Sequence, residues 1–309
     1  MNIVFMGTPD FSVEALKSLI AAGHNIIAVV TQPDKKKGRG EKVMFTPVKE
    51  EALKHDLKVY QPVKVREPEF IDELKKLDID VIVVIAFGQI LPKEILEMGQ
   101  YGCINVHASL LPKYRGAAPI QWAVIDGEEE SGVTTMQMNE GLDTGDILEA
   151  VKVPIDKKET GGSLFDKLSI AGANLIVKTL DDLQAGTVTP VKQDDTKSNY
   201  AKMLKKELGN IDFNQEAVKI ERLIRGLNPW PSAYTKLADK TLKIWDADVV
   251  DKDYEGENGE IVEVTKDYFV VKTGSKSLKI NELQLEGKKR MKSDIFLRGN
   301  KLEKGVVLK

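Results

Sequence analysis

Cysteines, histidines and long apolar runs are scarce in this sequence, and each shortage excludes a class of protein. The 309 residues include one cysteine and three histidines. One cysteine cannot form an internal disulfide framework, and His24, His55 and His107 are too few and too far apart for a zinc site. No apolar run approaches the roughly 20 residues that a membrane-spanning helix needs. We therefore expect no metal, no disulfide bond and no membrane association.

The amino terminus also lacks the features of a secretory signal. Residues 1–5 enter an apolar run directly, without a basic segment before it or a small-residue cleavage site after it. Together with the single cysteine, this predicts a cytoplasmic protein. An apolar content of 42% and a charged content of 30% are typical of a soluble globular chain, and the length is sufficient for two domains.

Charge is divided unevenly along the chain. Residues 1–200 carry 23 basic and 30 acidic side chains, whereas residues 201–309 carry 22 and 18. A basic lobe on an acidic protein can bind nucleic acid, although a solvated charged surface is the commoner cause of such a bias. Both interpretations are open on charge alone.

The first 90 residues predict an α/β fold with a Rossmann-like parallel sheet. Strand-like runs at 2–6 and 25–31 flank a helical pattern at 11–22, which is the beginning of a βαβ unit. The turn after the first strand has one glycine and contains Pro9, so it lacks the Gly-x-Gly-x-x-Gly pattern of a nicotinamide cofactor site. Residues 80–86 form a nearly continuous apolar run, which predicts a central parallel strand.

The carboxy-terminal part predicts a second domain of a different class. Short alternating runs separated by glycine turns, between residues 233 and 286, are typical of a small antiparallel β-barrel similar to an OB-fold. A polar, turn-rich stretch precedes them. We therefore predict a catalytic domain at 1–189, a linker at 190–207 and a β-barrel domain at 208–309.

Asn105 and His107 are the first candidate pair for chemistry. If residues 103–107 are extended, Cys103, Asn105 and His107 point to the same face of the sheet at the carboxyl end of a strand. An amide can donate a hydrogen bond to an oxyanion, and an imidazole exchanges protons near neutral pH, so the pair fits acyl transfer. The alternative is a structural histidine beside a turn-forming asparagine. Cys103 is a poorer candidate, because a small buried side chain is the commoner role of such a cysteine.

Two loops supply further candidates. The Gly-rich stretch at 139–146 contains Asp143, and this stretch is either a simple hairpin loop or a loop that presents Asp143 to His107. The segment at 32–42 has no apolar periodicity and is predicted to be a mobile surface loop. It is either a solvated run of charges or a basic segment that becomes ordered against phosphate. Its basic residues are Lys35, Lys36, Lys37, Arg39 and Lys42.

Several stretches resemble one known family. Residues 105–112 (NVHASLLP) and 141–146 (GLDTGD) resemble the two signatures of the formyltransferases that use 10-formyltetrahydrofolate. Five more stretches resemble the members of that family that act on methionyl-tRNA: residues 7–11, 31–34, 38–40, 113–121 and 228–231. The resemblance runs through both predicted domains, from Met1 nearly to Lys309.

The resemblance implies roles for particular residues. Asn105 and His107, as an imidazolium, would stabilise the formyl oxygen, and Asp143 would keep His107 charged. The folate cosubstrate, 10-formyltetrahydrofolate, would lie against two loops, whose residues are Phe87, Gly88, Gln89, Ile90, Leu91 and Pro92 in one, and Ser109, Leu110, Leu111 and Pro112 in the other. The leucines and isoleucines of the first loop could instead be core residues.

The resemblance also implies the partners. Initiator methionyl-tRNA would be the acceptor, with the basic loop at its acceptor end and the lysines of the barrel along its phosphate backbone. Family members suggest a monomer. Glycinamide ribonucleotide transformylases and sugar formyltransferases share the three catalytic residues, but the former lack the basic barrel. Two other classes, a non-catalytic RNA-binding module and a nicotinamide oxidoreductase, are disfavoured by the intact catalytic residues and by the first turn.

Overall fold

The chain forms two compact units in its computed structural model, which describes residues 1–37 and 42–309. The first unit comprises Met1–Pro119, Glu130–Pro154 and Phe165–Ala201. The second comprises Ile120–Glu129, Ile155–Leu164 and Lys202–Lys309.

The elements up to residue 201 alternate between strands and helices over most of their length. In chain order they are β1 (Asn2–Gly7), α1 (Val13–Ala21), β2 (Asn25–Val30), β3 (Lys35–Lys37), β4 (Lys42–Met44), α2 (Pro47–Lys54), β5 (Val59–Tyr60), α3 (Pro68–Lys75), β6 (Val81–Ile85), α4 (Lys93–Leu96), β7 (Cys103–His107), β8 (Arg115–Gly116), α5 (Pro119–Asp126), β9 (Glu130–Gln137), β10 (Ile147–Pro154), α6 (Gly161–Ala185) and β11 (Tyr200–Ala201).

A seven-stranded sheet organises the first unit, in the order β10-β9-β7-β6-β1-β2-β5. Strands β5, β2, β1, β6 and β7 are parallel, whereas β9 is antiparallel to β7 and β10 is antiparallel to β9. All five residues of β6 are buried, as expected of a strand covered on both faces, so the prediction of a central parallel strand is confirmed. The carboxyl ends of β1, β6 and β7 therefore meet at one edge of the sheet, where open α/β sheets place their sites.

Local sequence explains where the helices begin and which faces they bury. Thr46 precedes α2, and its hydroxyl accepts a hydrogen bond from the Lys49 amide at 3.1 Å. Pro47 occupies the first turn, where a missing amide hydrogen costs nothing. In α1, Leu16 and Leu19 are fully buried, as the spacing of its apolar residues predicts.

The basic segment differs from its prediction. We expected an irregular loop over residues 32–42, but β3 and β4 form an antiparallel hairpin stem, with Lys35 opposite Met44 and Lys37 opposite Lys42. The prediction of a loop is therefore wrong for these strands. A two-stranded stem is held by backbone hydrogen bonds, and the apolar side chains of Val43 and Met44 are exposed, so burial of these two residues imposes no periodic pattern. Arg39 lies outside the described residues.

The second unit contains an antiparallel sheet. Its remaining elements are α7 (Ala217–Gly226), β12 (Ala233–Leu237), β13 (Lys240–Val250), β14 (Ile261–Val264), β15 (Phe269–Lys272), β16 (Ser277–Leu285), β17 (Met291–Lys292) and α8 (Ser293–Gly299). The strand order is β12-β13-β16-β15-β14, with β17 paired to β16. Phe269 and Phe296 lie in its hydrophobic core, together with Ile220 and Ile224 from one face of α7. The predicted fold class, a Rossmann-like sheet followed by a small antiparallel β domain, is confirmed.

Neither a membrane-spanning helix nor a metal-binding cluster occurs among the described residues. Within residues 1–37 and 42–309, no helix has both the length and the apolar character that crossing a bilayer requires. The same part of the chain contains no group of three or more His, Cys, Asp or Glu side chains arranged to hold a metal ion.

Candidate active site

Strand β7 carries the predicted pair. It lies between β6 and β9, where Asn105 is opposite Met136 and His107 is opposite Thr134. Cys103, Asn105 and His107 share one face of β7 but differ in burial. Cys103 is fully buried, Asn105 is partly exposed and His107 is 6% exposed. Across the described residues, the side-chain amide of Asn105 makes no hydrogen bond within the protein. This amide is therefore free to bind a ligand.

The His107 ring has two distinct nitrogen environments. Nε2 lies 2.9 Å from the Tyr114 carbonyl oxygen, and a carbonyl can only accept, so Nε2 carries a hydrogen. Nδ1 lies 3.8 Å from Asp143 Oδ1. That separation is too long for a direct hydrogen bond and short enough for an ion pair when the ring is protonated. Nδ1 is therefore the ring nitrogen left to exchange a proton or to contact a substrate.

The two carboxylate oxygens of Asp143 face different neighbours. Oδ2 accepts a hydrogen bond from the Gly116 amide at 2.7 Å, and Oδ1 is the oxygen nearest His107. The backbone of Asp143 is left-handed, with φ of 52°, which is uncommon for a residue other than glycine. The structure thus brings Asp143 beside His107, in the arrangement that one interpretation of the 139–146 loop predicted.

The same loop requires glycine for steric reasons. A Cβ atom added at Gly145 would lie 1.7 Å from the Gln137 carbonyl oxygen. Asn139 Oδ1 accepts hydrogen bonds from the Gly141 amide and the Thr144 hydroxyl at 3.0 and 2.8 Å, which closes a compact turn before Asp143. The glycines and the asparagine of this stretch therefore build the loop around Asp143.

Cys103 lies in a different environment from the pair it precedes. Its thiol is fully buried and contacts the Ile95 carbonyl oxygen at 3.2 Å. Burial raises the pKa of the Cys103 thiol to about 12. Because the thiolate is the nucleophile, a thiol with such a pKa is unreactive near neutral pH.

The 87–92 loop contains both buried and exposed residues. Phe87 and Leu91 are buried in the hydrophobic core of the first unit. Gly88 is exposed with φ of 84°, and Ile90 is 89% exposed. Gln89 fixes the loop, because its side-chain oxygen accepts a hydrogen bond from the Val65 amide at 2.8 Å. Pro92, the last residue of this group, is partly exposed and immediately precedes α4.

The 109–112 loop is held from β9. Thr134 donates its hydroxyl hydrogen to the Ser109 carbonyl at 2.7 Å and accepts from the Leu111 amide at 3.1 Å. The Ser109 hydroxyl donates to the Lys113 carbonyl at 2.6 Å. Leu110 and Pro112 are partly exposed. Thr134, which motif reading missed, therefore sets the path of this loop.

The base of the basic hairpin is closed by a polar network. The Lys49 ammonium lies 2.6 Å from Asp34 and 2.7 Å from Gln61, and Gln61 also donates to Asp34 at 2.7 Å. Burial opposes ionisation of Asp34, but the hydrogen bonds from Lys49 and Gln61 hold the pKa of Asp34 below its ordinary value. Lys35, the first residue of the stem, is exposed. Lys36, Lys37 and Lys42 belong to the paired strands through their backbones.

Gln193 was not identified from sequence. It is 7% exposed, and its amide nitrogen donates to the carbonyls of Asp143 and Gly145 at 2.9 and 2.7 Å. Gln193 lies in a polar, turn-rich stretch without a recognisable motif. Its contact with Asp143 joins residues 50 positions apart, so no local sequence pattern predicts it.

The sequence matches two family descriptions. Residues 1–180 match the family described as "Formyl transferase", and residues 203–301 match "Formyl transferase, C-terminal domain". Among curated proteins, the chain is 61% identical to methionyl-tRNA formyltransferase of Lachnospira eligens, over 100% of this chain and 99% of the relative. It is 51% identical to the protein of that name from Clostridioides difficile, over 100% of both chains.

Solved structures share the fold at low identity. An N-formyltransferase from Helicobacter canadensis, solved with folinic acid and dTDP-3-aminofucose, has a TM-score of 0.69 and 20% identity, covering 91% of this chain and 98% of that one. HypX from Aquifex aeolicus in complex with tetrahydrofolic acid has a TM-score of 0.64 and 17% identity, covering 96% of this chain and 47% of that one. By its two matching domains and its full-length relatives, the chain belongs to the methionyl-tRNA formyltransferases of the formyl transferase family.

Proposed function

We propose that this protein transfers the formyl group of 10-formyltetrahydrofolate to the α-amino group of methionyl-initiator tRNA, giving the formylmethionyl-tRNA that starts translation. The observation that carries the proposal is the amide of Asn105, which has no partner among the described residues and lies two residues from His107, whose Nδ1 is 3.8 Å from Asp143. This set lies in a chain that matches both domains of the family.

Asn105 and His107 stabilise the charge that develops during transfer. When the amine attacks the formyl carbon, negative charge develops on the formyl oxygen. Asn105 donates from its free amide, and His107 donates from Nδ1, because its Nε2 is occupied by the Tyr114 carbonyl. Donors fixed before the reaction need no reorganisation in the transition state, which is why such sites accelerate acyl transfer.

Asp143 supports His107 and the proton balance. Asp143 Oδ1 lies 3.8 Å from Nδ1 of His107, where a carboxylate attracts the imidazolium that stabilises the oxyanion. Attack by the amine first gives a tetrahedral intermediate, and its collapse re-forms the carbonyl and breaks the bond from the formyl carbon to N10. The proton lost by the amine ends on N10, and Asp143 relays it through water.

The two loops form the seat of the folate cosubstrate. Gly88 offers an exposed backbone, and Ile90 offers an exposed apolar side chain. Both fit the flat pterin ring of the folate. Phe87 and Leu91 anchor the first loop in the core, and Ser109 anchors the second. In this proposal the anchored residues shape the seat, while the partly exposed ones touch the ligand.

The acceptor tRNA binds through basic side chains. The hairpin with Lys35, Lys36, Lys37 and Lys42, together with Arg39, contacts the acceptor end. Residues 201–309, with 22 basic and 18 acidic side chains, contact the phosphate backbone. In that region Arg290, between β16 and β17, lies 4.7 Å above the ring of Trp245 and pairs with Glu282, so its guanidinium has a defined place beside the sheet.

The cellular setting follows from this substrate. We propose a cytoplasmic enzyme that acts as a monomer and makes no membrane contact. Within it, 1–189 is the catalytic domain, 208–309 is the tRNA-binding domain, and 190–207 is the linker, of which residues 191–201 pack on the first unit.

A transfer assay tests the proposal. The purified protein is incubated with 10-formyltetrahydrofolate and methionyl-initiator tRNA, and formylmethionine is quantified after hydrolysis of the ester. Elongator methionyl-tRNA, glycinamide ribonucleotide and a dTDP-amino sugar are tested as alternative acceptors. We expect formylation of the initiator tRNA to exceed that of each alternative by at least tenfold. Comparable activity on a sugar nucleotide would overturn the tRNA assignment while preserving the chemistry.

A further inference from the structure

A short segment after α6 packs directly on the candidate active site. Residues 191–201, here called the strap, begin where Val191 exchanges two backbone hydrogen bonds with Ile147, each 2.8 Å long. The strap ends in β11, which pairs in parallel with β8, and the Ala117 amide donates to the Ala201 carbonyl at 2.9 Å. The strap is therefore fixed at both ends within the first unit.

Gln193 lies in the strap, and every hydrogen-bonding position of its side chain is occupied by a residue outside the strap. Its amide nitrogen donates to the carbonyls of Asp143 and Gly145. Its amide oxygen accepts from Arg115 Nε and Nη2 at 3.1 and 2.8 Å. A primary amide has two donors and two acceptor positions, so this buried group is fully satisfied. Such a group fixes its neighbours, because moving any of them leaves a buried polar atom unpaired.

Asp143 needs an external anchor. Its backbone is left-handed, a conformation that costs on the order of 1 kcal/mol for a residue with a side chain. Its carboxylate is held by the Gly116 amide, and Gly116 belongs to β8, which the strap holds through β11. Gln193 holds the backbone of the same residue. The strap thus controls both where Asp143 sits and which way its carboxylate points.

We propose that Gln193 is a positioning residue for Asp143, and that the strap is part of the catalytic site. Gln193 acts through Asp143 and touches no substrate. This inference rests on the proposed function, in which Asp143 supports His107. A displacement of about 1 Å at a reacting group costs about 100-fold in rate, so loss of this anchor reduces turnover and leaves substrate binding intact.

The decisive variant is Gln193→Glu. The new carboxylate keeps the acceptor for Arg115 but cannot donate to the two loop carbonyls, and it repels them. We expect kcat to fall by about 10- to 100-fold, with the KM of each substrate changed less than threefold. The matched control is Gln184→Glu, the same substitution at an exposed position of α6, which should leave both constants unchanged. Gln193→Met, which has similar length and no donor, replaces the first variant if that one fails to fold.

Two readouts separate positioning from general damage. In an Asp143→Asn background, Gln193→Glu should cost less than threefold further, because its effect passes through Asp143. An equal cost in both backgrounds overturns the inference, as does an unchanged kcat in the single variant. Amide exchange gives a readout independent of activity: the Gly116 amide, bonded to Asp143 in the intact protein, should exchange at least tenfold faster in Gln193→Glu. Unchanged exchange also overturns the inference. If the unsubstituted protein is inactive while its Gly116 amide is protected from exchange, the proposed function is refuted but the anchoring of Asp143 is not.

Discussion

Asn105→Ala isolates the contribution of one oxyanion donor. The Asn105 amide is partly exposed and makes no hydrogen bond among the described residues, so its removal leaves no partner unsatisfied in the folded protein. We therefore expect the free energy of unfolding to change by less than about 1 kcal/mol, a shift of about 2 °C or less in Tm. In contrast, loss of the donor in the transition state should lower kcat by about 10² to 10³, or about 3–4 kcal/mol.

The assay for Asn105→Ala is single-turnover formyl transfer to methionyl-initiator tRNA, alongside a thermal melt of the same preparation. Asn174→Ala, at an exposed position of α6, is the matched control and should retain full activity. The reasoning is refuted if Asn105→Ala keeps its rate within threefold of the parent, or if the rate loss is accompanied by a Tm loss large enough to explain it. Asn105→Asp should be at least as slow as Asn105→Ala, because a carboxylate repels the oxyanion.

Three further predictions concern other parts of the molecule. Because burial raises the pKa of the Cys103 thiol to about 12, we expect about one thiolate in 10⁴ at pH 8. An alkylating reagent should therefore label Cys103 only when the protein unfolds. A folded Cys103→Ala variant that loses more than tenfold in activity would contradict an unreactive role for this thiol. Lys35→Ala should flatten the slope of log affinity for tRNA against log salt by about 0.7 to 0.9, whereas Lys75→Ala on α3 should leave the slope unchanged; a salt-independent affinity would oppose a phosphate contact. Gly145→Ala places a methyl group 1.7 Å from the Gln137 carbonyl, so it should displace the loop and lower kcat at least tenfold, and a rate near that of the parent would disprove the steric role.

Most of the fold could be predicted because its elements bury apolar residues at regular spacing. The run at 80–86 contains nothing but apolar side chains after its first residue, and β6 is buried at every position. The hairpin of β3 and β4 could not be predicted, since three lysines in one strand and exposed residues in the other give no periodic pattern. Strand β17 and helix α8 were also missed. Strand β17 has only two residues, and its pairing with β16 is a tertiary contact.

The candidate residues that lie in short motifs could be identified from sequence, whereas those that depend on partners distant in sequence could not. Alternation along one strand placed Asn105 and His107 on the same face, because the period of a strand is two. The Gly-rich loop identified Asp143 as a carboxylate with a defined local conformation. The contact of Gln193 with this loop joins residues 48 and 50 positions apart, and no local pattern marks it.

The geometry of Asp143 shows why the motifs alone do not make the site. Its two carboxylate oxygens have separate tasks, because one is bound to the Gly116 amide and the other faces His107. Without the Gly116 amide, the carboxylate could turn both oxygens away from His107. The groups that fix Asp143 come from β8 and from the strap, which lies between the two matched family domains, residues 1–180 and 203–301. The motifs therefore identify the candidate residues, while the segment that we propose to position Asp143 has no recognisable motif of its own.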